Sequence, residues 1–278
     1  MDTLFHYTTA AGLLGILKGS NIWATDLRFL NDAQEAVYAR DMVIEAVTTM
    51  ENPVHRPEHW AHEHGEPALE EFGRYQGFVL NEMRNSEFGV YVTCFCESGD
   101  LLSQWRGYGK DHGYAIEVTK DALRDTVKAT PTYPPATGLF KVQYGHDAAN
   151  AVIDSVIHQV ADFNLNHRGV KAHYSALAVN SMLAQVKHPG FAEEHEWRLV
   201  VGLELFDEST SDRKSTLYRS TPMAIVPYLE IPLGRESIVS IRVGPGDNPE
   251  VRAGGIRRLL KTLGSDAIVT HSEVPLRT

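Results

Sequence analysis

The sequence predicts an α+β fold, and three observations carry that expectation. The first fifty residues alternate strand-like and helix-like runs in the order β-α-β-α. From about residue 88 the pattern changes to short runs rich in Val, Tyr and Phe, the composition of half-buried strands. A helical stretch at about 147–186 and a helix-strand pair at about 248–271 are set among those strands.

Residues 3–7 suit a short strand, and Thr8 or Thr9 caps the helix that follows. In that helix Leu13, Leu14, Ile16 and Leu17 are spaced to bury one face, and Gly19 ends it. "NIWATDL" reads as a second strand. "FLNDAQEAVYARDMVIEAVTTM" reads as a loop carrying Asn31 and Asp32 into an amphipathic helix, with Asp32 as its N-cap. Residues 51–66 are polar, histidine-rich and broken by proline, which predicts a loop or lid before a helix at about 67–86. Strands are expected at "FGVYVTCFCES", "GYAIEVT", "LFKVQYG", "EWRLVVGL", "MAIVPYLEIPL" and "IVSIRVG". No internal repeat or long low-complexity linker divides the chain. The expectation is one domain over residues 1–278, with helical insertions at about 33–86 and about 147–188.

A chain of 278 residues with 43% hydrophobic content is large enough to bury a substantial core. Its formal net charge of −10 disfavours non-specific attraction to nucleic acid or anionic membranes and leaves room only for a local basic groove. Cys94 and Cys96 alternate on one expected strand, too close along it for a normal disulfide, which fits a reducing cytosol. There is no basic segment leading into an apolar core and cleavage site, and no apolar run of membrane-spanning length. A soluble, cytoplasmic protein without membrane partners is expected.

Four stretches combine residue types that carry chemistry. In "HYTT", His6, Tyr7 and Thr8 place an imidazole, a phenol and a hydroxyl at the end of a strand; satisfied core hydrogen bonds and a helix cap account for the same residues. In "FLND", Asn31 and Asp32 read either as an Asx turn and a cap or as ligand contacts. "SQWRGYG", Ser103 to Gly109, adds Gln104, the flat faces of Trp105 and Tyr108 and the guanidinium fork of Arg106. In "FAEEHEWRLVV", a strand would project Glu194, Glu196 and Arg198 to one face, which is either a binding face or an exposed edge with a surface ion pair.

Two signals are weaker. His55, His59, His62 and His64 cluster without the spacing of a zinc helix, so a solvated loop is the simpler reading and no metal is expected. "VGPGDNPE" either offers backbone N–H groups to an anion or forms a simple turn. Phosphate-binding loops, dinucleotide glycine fingerprints and nucleophile elbows are absent from the sequence.

Taken in order, "LFHYTTAAGLLGILKGSNIWATDLRFLNDAQE", "CFCESGDLLSQWRGYGKDHGYAIEV" and "FAEEHEWRLV" resemble a widespread bacterial family of unknown function across nearly the whole chain. The opening unit, a strand with histidine before a helix ending "GILKG", is more distantly similar to the start of the histidine class of ADP-ribosyltransferases. That similarity implies a split mixed β-sheet with helical insertions, with NAD as substrate and no metal. It implies ADP-ribosyl transfer to an acceptor of unknown class, protein or nucleic acid, or NAD hydrolysis, in bacterial conflict such as phage defence or toxicity.

Carried over by residue, the resemblance gives His6 the ribose contact, with Thr8 or Thr9 beside it, and Glu196 the late glutamate, with Glu194 two residues before. Tyr91 or Ser98 would come from the middle strand. Arg106 and Arg198 would pair the pyrophosphate or hold the glutamates, and Trp105 or Tyr108 would stack on nicotinamide or an acceptor base. Tyr7 stands where glycine is commoner, and "SQWRGYG" belongs to the unknown-function family alone. Rival expectations are a non-catalytic module that senses a nucleotide or nucleic-acid end, and a nucleic-acid-processing enzyme that does not use NAD. The geometric expectation is that His6, Tyr7, Trp105 and Glu196 line one cleft.

Overall fold

The computed structural model describes residues 2–30, 33–49, 89–109, 112–129, 137–147, 150–152, 180–203, 216–221 and 224–275. Asn31, Asp32, the histidine tract at 55–64, the helix expected at 67–86 and most of the 147–186 stretch lie outside them.

The opening follows the expected order. β1 (Thr3–Thr8) leads into α1 (Ala10–Gly19), β2 (Asn21–Asp26) and then α2 (Ala33–Thr49). Thr9 is the α1 N-cap, its hydroxyl accepting from the Gly12 N–H at 3.3 Å, and Ser20 closes the helix in the left-handed region. Leu13, Ile16 and Leu17 are buried, whereas Leu14 is 41% exposed. At about 100° per residue, the i, i+3, i+4 stripe holds only the first three, so Leu14 falls outside the face it was expected to join.

The remaining strands are β3 (Gly89–Cys96), β4 (Tyr114–Thr119), β5 (Gly138–Lys141), β6 (Gln143–Tyr144), β7 (Val186–Lys187) and β8 (Glu196–Leu203). β9 (Leu217–Ser220), β10 (Ile225–Pro232), β11 (Ile238–Val243) and β12 (Ile268–His271) complete them. Among the described residues, α3 (Lys120–Ala129) and α4 (Pro249–Leu263) are the longer helices set among these strands. α3 was not anticipated, although Thr119 caps it and Leu123 is fully buried. "LFKVQYG" is not one strand: at Val142 it turns from β8 to β7, so β5 and β6 belong to different sheets.

Ten strands form one mixed sheet in the order β12-β11-β4-β1-β3-β2-β10-β9, with β8 and β5 branching from β3. Among the described residues its strand pairs are antiparallel except β11 with β12, whose crossover is α4. α4 buries Ala253, Ile256 and Leu260, an i, i+3, i+7 stripe, in the same core as α1 and the inner faces of β4 and β11.

The branch positions the cleft. β8 pairs with all eight residues of β3, which occupies one edge of that strand. The other edge is shared: β1 meets it at Cys96, through Phe5, and β2 meets it at Val92 and Tyr91. Between these contacts the sheet splits, leaving the β3 backbone around Cys94 facing a gap rather than a strand.

Candidate functional site

A cleft of about 420 Å³ opens at that split, a size suited to a small-molecule ligand. His6, Tyr7 and Thr8 line it from β1, Gln104 and Tyr108 from the loop after β3, Glu194 from the turn before β8 and Glu196 from the first residue of β8. Three stretches, each more than eighty residues from the next in sequence, therefore meet in one place. Register puts Tyr7, Cys94, Cys96 and Glu196 on one sheet face and His6 on the other. The gap between β1 and β2 is what admits the imidazole to the same cleft.

His6 is half-buried, and its Nδ1 lies 2.9 Å from the Cys94 carbonyl oxygen that the split leaves without a strand partner. A carbonyl only accepts, so Nδ1 carries the proton and Nε2 is the acceptor of the neutral ring. Burial lowers the His6 pKa; the Cys94 bond opposes this and the Arg219 charge reinforces it. The imidazole is therefore neutral at pH 7.

Tyr7 lines the cleft with its ring and anchors the loop with its hydroxyl. The hydroxyl donates to the Ser98 carbonyl at 2.9 Å and accepts from the Leu101 N–H at 2.9 Å. Burial pushes its pKa up, so it stays protonated. Trp105 stands behind it, edge-on at 4.6 Å and 1% exposed, and does not line the cleft. Its indole N–H donates to Asp100 at 2.8 Å. Asp100 also accepts from the Ser272 hydroxyl and, at 2.7 Å, from the Glu273 N–H. The indole predicted to stack on a ligand is thus a plug that fixes the loop, because an apolar body with one satisfied N–H is best buried. Asp100, which sequence reasoning passed over, ties that loop to the segment that follows β12.

The other loop residues divide. Gln104 and Tyr108 reach the cleft, and Tyr108's pKa is raised by burial first and by neighbouring Cys94 and Glu196 next. Arg106 is exposed and outside the cleft lining. The Ser103 hydroxyl is buried with no hydrogen-bond partner among the described residues, also away from the cleft. Tyr91 is buried elsewhere, its hydroxyl 3.3 Å from that of Thr216. Asn31 and Asp32 are not among the described residues.

The "EEHEWR" stretch departs from simple alternation. Pro189–Glu194 is a 3-10 turn closed by His195 in the left-handed region, so the strand begins only at Glu196. Glu196 and Arg198 do share a face, but that face is inside: β8 lies between β3 and β5, and the two residues are 4% and 1% exposed. An exposed edge is ruled out. Arg198 Nε donates to Glu196 Oε1 at 2.7 Å, and its terminal nitrogen donates to Oε2 at 3.2 Å. Lys187, buried on β7, bridges Glu194 at 2.7 Å and Glu196 at 2.8 Å. Burial raises the Glu196 pKa, but the Arg198 and Lys187 charges and hydrogen bonds from Arg198 and Cys94 outweigh it and hold the carboxyl at about 2. Glu194 keeps more of its side chain open, 13% against 5%.

Sequence reasoning missed Lys187 and Arg219. Lys187 sits on a two-residue strand, too short to leave a pattern. Arg219 lines the cleft from β9, behind a segment outside the described residues. Among the described residues no group of three or more His, Cys, Asp and Glu side chains is placed to hold a metal ion. No described helix is long and apolar enough to cross a membrane.

Comparisons with known proteins place these residues in context. No curated protein and no solved structure matches the chain. Residues 104–199, the segment that supplies Gln104, Tyr108, Glu194 and Glu196 to the cleft, are similar to a family described as "Protein of unknown function (DUF2971)".

Proposed function

We propose that the cleft binds a NAD-type dinucleotide and supports ADP-ribosyl transfer or NAD hydrolysis. The observation that carries this reading is the convergence of His6, with Nε2 held as an acceptor, and the Glu194–Glu196 pair in one cleft at a split in a mixed sheet. The resemblance of the opening unit to histidine-class ADP-ribosyltransferases implies that arrangement.

In this reading His6 Nε2 accepts a ribose hydroxyl, and Tyr108 packs against nicotinamide. Breaking the nicotinamide-ribose bond builds positive charge on the ribose, which a nearby carboxylate stabilises. Glu196, with a pKa of about 2, stays ionised and acts by charge rather than as a proton acceptor. Glu194, the more open carboxylate, is the one left to meet a ribose hydroxyl or an incoming acceptor. The acceptor is a protein, a nucleic acid or water.

One observation favours a second reading, a non-catalytic nucleotide sensor. Both carboxylates are matched by Lys187 and Arg198, so the pair offers the cleft little net negative charge.

Nicotinamide release from labelled NAD, with and without bacterial lysate as acceptor source, separates the two readings. Release by the wild type that falls at least tenfold in Glu194→Gln or Glu196→Gln supports catalysis. NAD binding without release in any of these proteins, lysate included, supports the sensor. Absence of both binding and release overturns the NAD assignment.

A further inference from the structure

We infer that Arg219 forms an anion subsite of the cleft, which recognises the phosphate or pyrophosphate of its ligand. This deepens the nucleotide reading and rests on it for the identity of the ligand. Its support is a mismatch of charge inside the cleft. Of the ionised side chains that line it, Glu194 and Glu196 are already paired with Lys187 and Arg198. Arg219 also lines it, half-buried, and has no carboxylate partner among the described residues.

What holds Arg219 instead is neutral. One terminal nitrogen donates to the Thr25 hydroxyl at 2.7 Å, and the guanidinium lies 5.5 Å from the ring centroids of both Trp23 and Tyr228. β2, β10 and β9 run side by side, and the register Thr25↔Tyr228↔Leu217 brings these groups to one face. Two aromatic rings and a hydroxyl fix the direction of the fork without neutralising it. A guanidinium offers five N–H donors, and only the Thr25 bond is made among the described residues.

Withdrawing a cation from water without a counter-charge is costly, and a ligand anion supplies the missing partner. Thr8, Thr9, Ser220 and Thr221 line the same cleft. The Arg219 charge also reaches the His6 ring, where it opposes protonation, so the anion subsite and the ribose contact are neighbours.

Isothermal titration calorimetry on the full chain tests this with four probes: NAD, ADP-ribose, nicotinamide riboside, which lacks phosphate, and inorganic pyrophosphate. Arg219→Gln is expected to weaken NAD and ADP-ribose about 10- to 100-fold, the loss of one charged hydrogen-bonding partner, and to leave nicotinamide riboside unchanged. Arg219→Lys keeps the charge and much of the stem, and is expected to recover part of the loss; unchanged thermal midpoints show that both variants fold.

NAD binding that is equal in wild type and Arg219→Gln overturns the subsite and leaves the nucleotide reading standing. Pyrophosphate binding that depends on Arg219, in a protein that ignores NAD and ADP-ribose, keeps the subsite and overturns the nucleotide reading in favour of another phosphate source. A wild type that binds none of the probes overturns both.

Discussion

Arg198 holds Glu196 from two positions further along the same strand, with one guanidinium nitrogen on each carboxylate oxygen. Both side chains are withdrawn from solvent, so the pair is stable only as a pair. Removing one partner strands a buried charge, at a cost of about 3–5 kcal/mol. Arg198→Met is expected to lower the unfolding free energy measured in urea by that order, and Glu196→Gln/Arg198→Met to recover most of it, because Lys187 still has Glu194. A double variant no more stable than Arg198→Met would show that the coupling lies elsewhere.

The same carboxylate sets an acid limit. Its folded pKa, about 2, lies below the ordinary 4.5, so its stabilisation is fully present above pH 4.5 and is lost as pH falls through 2. Over that window the loss is on the order of 3 kcal/mol. Urea unfolding between pH 6 and pH 2 should show this component in the wild type and not in Glu196→Gln.

His6 titrates in the opposite chemical sense. Its pKa is lowered from 6.5, so its contribution is present above pH 6.5 and is lost as pH falls through the folded value. Nitrogen-15 NMR of the histidine rings is expected to find one residue, absent in His6→Asn, protonated at Nδ1 and neutral at pH 6.5. A His6 ring with its proton on Nε2 would remove the acceptor on which the ribose contact depends.

Asp100 joins the cleft loop to the segment that follows β12. Asp100→Ala frees the Trp105 indole, the Ser272 hydroxyl and the Glu273 N–H together. A loss of about 1–3 kcal/mol is expected, with faster hydrogen exchange at both 101–109 and 272–275. Gly244→Ala should give a related effect from the other side, since a Cβ there would meet the Trp105 ring at 2.7 Å and the Gly113 carbonyl at 2.9 Å. Exchange that speeds up in only one of the two segments would separate what Asp100 is argued to join.

Helix α1 provides an internal control. Leu17→Ala empties a fully buried position and should cost about 2–5 kcal/mol, while Leu14→Ala, on the solvent side, should stay within about 0.5 kcal/mol. Equal losses by thermal denaturation would mean that the face is wider than the burial indicates.

Much of this arrangement was legible beforehand. β1, α1 and β2 follow their caps and periodicities, and β3, β4, β8, β10 and β11 follow runs of apolar and β-branched residues. Thr9 as a cap and the shared face of Glu196 and Arg198 are local consequences of period and residue type. β6 was read as a continuation of β5, because the turn at Val142 leaves no mark in the apolar pattern, and β7 and β9 were not anticipated, being runs of two and four residues. Trp105 shows a different limit. An indole beside glycines has the same local pattern whether it faces a ligand or a core, and the decision came from Tyr7, Asp100 and Gly244, all outside its own segment.

The sequence by itself determined the strand-helix-strand order of the opening and singled out "HYTT", "SQWRGYG" and "EHEWR" as stretches rich in polar and aromatic residue types. Only the tertiary structure decided that β1 and β2 share one edge of β3 and part around Cys94. It also decided that Lys187 reaches both glutamates and that Arg219 enters the cleft without a carboxylate partner among the described residues. The physical reason is range. Capping and amphipathic period act over a few residues, whereas strand partnership joins distant segments, as Phe5 with Cys96, and buried charges are matched between separate elements, as Lys187 on β7 with Glu196 on β8.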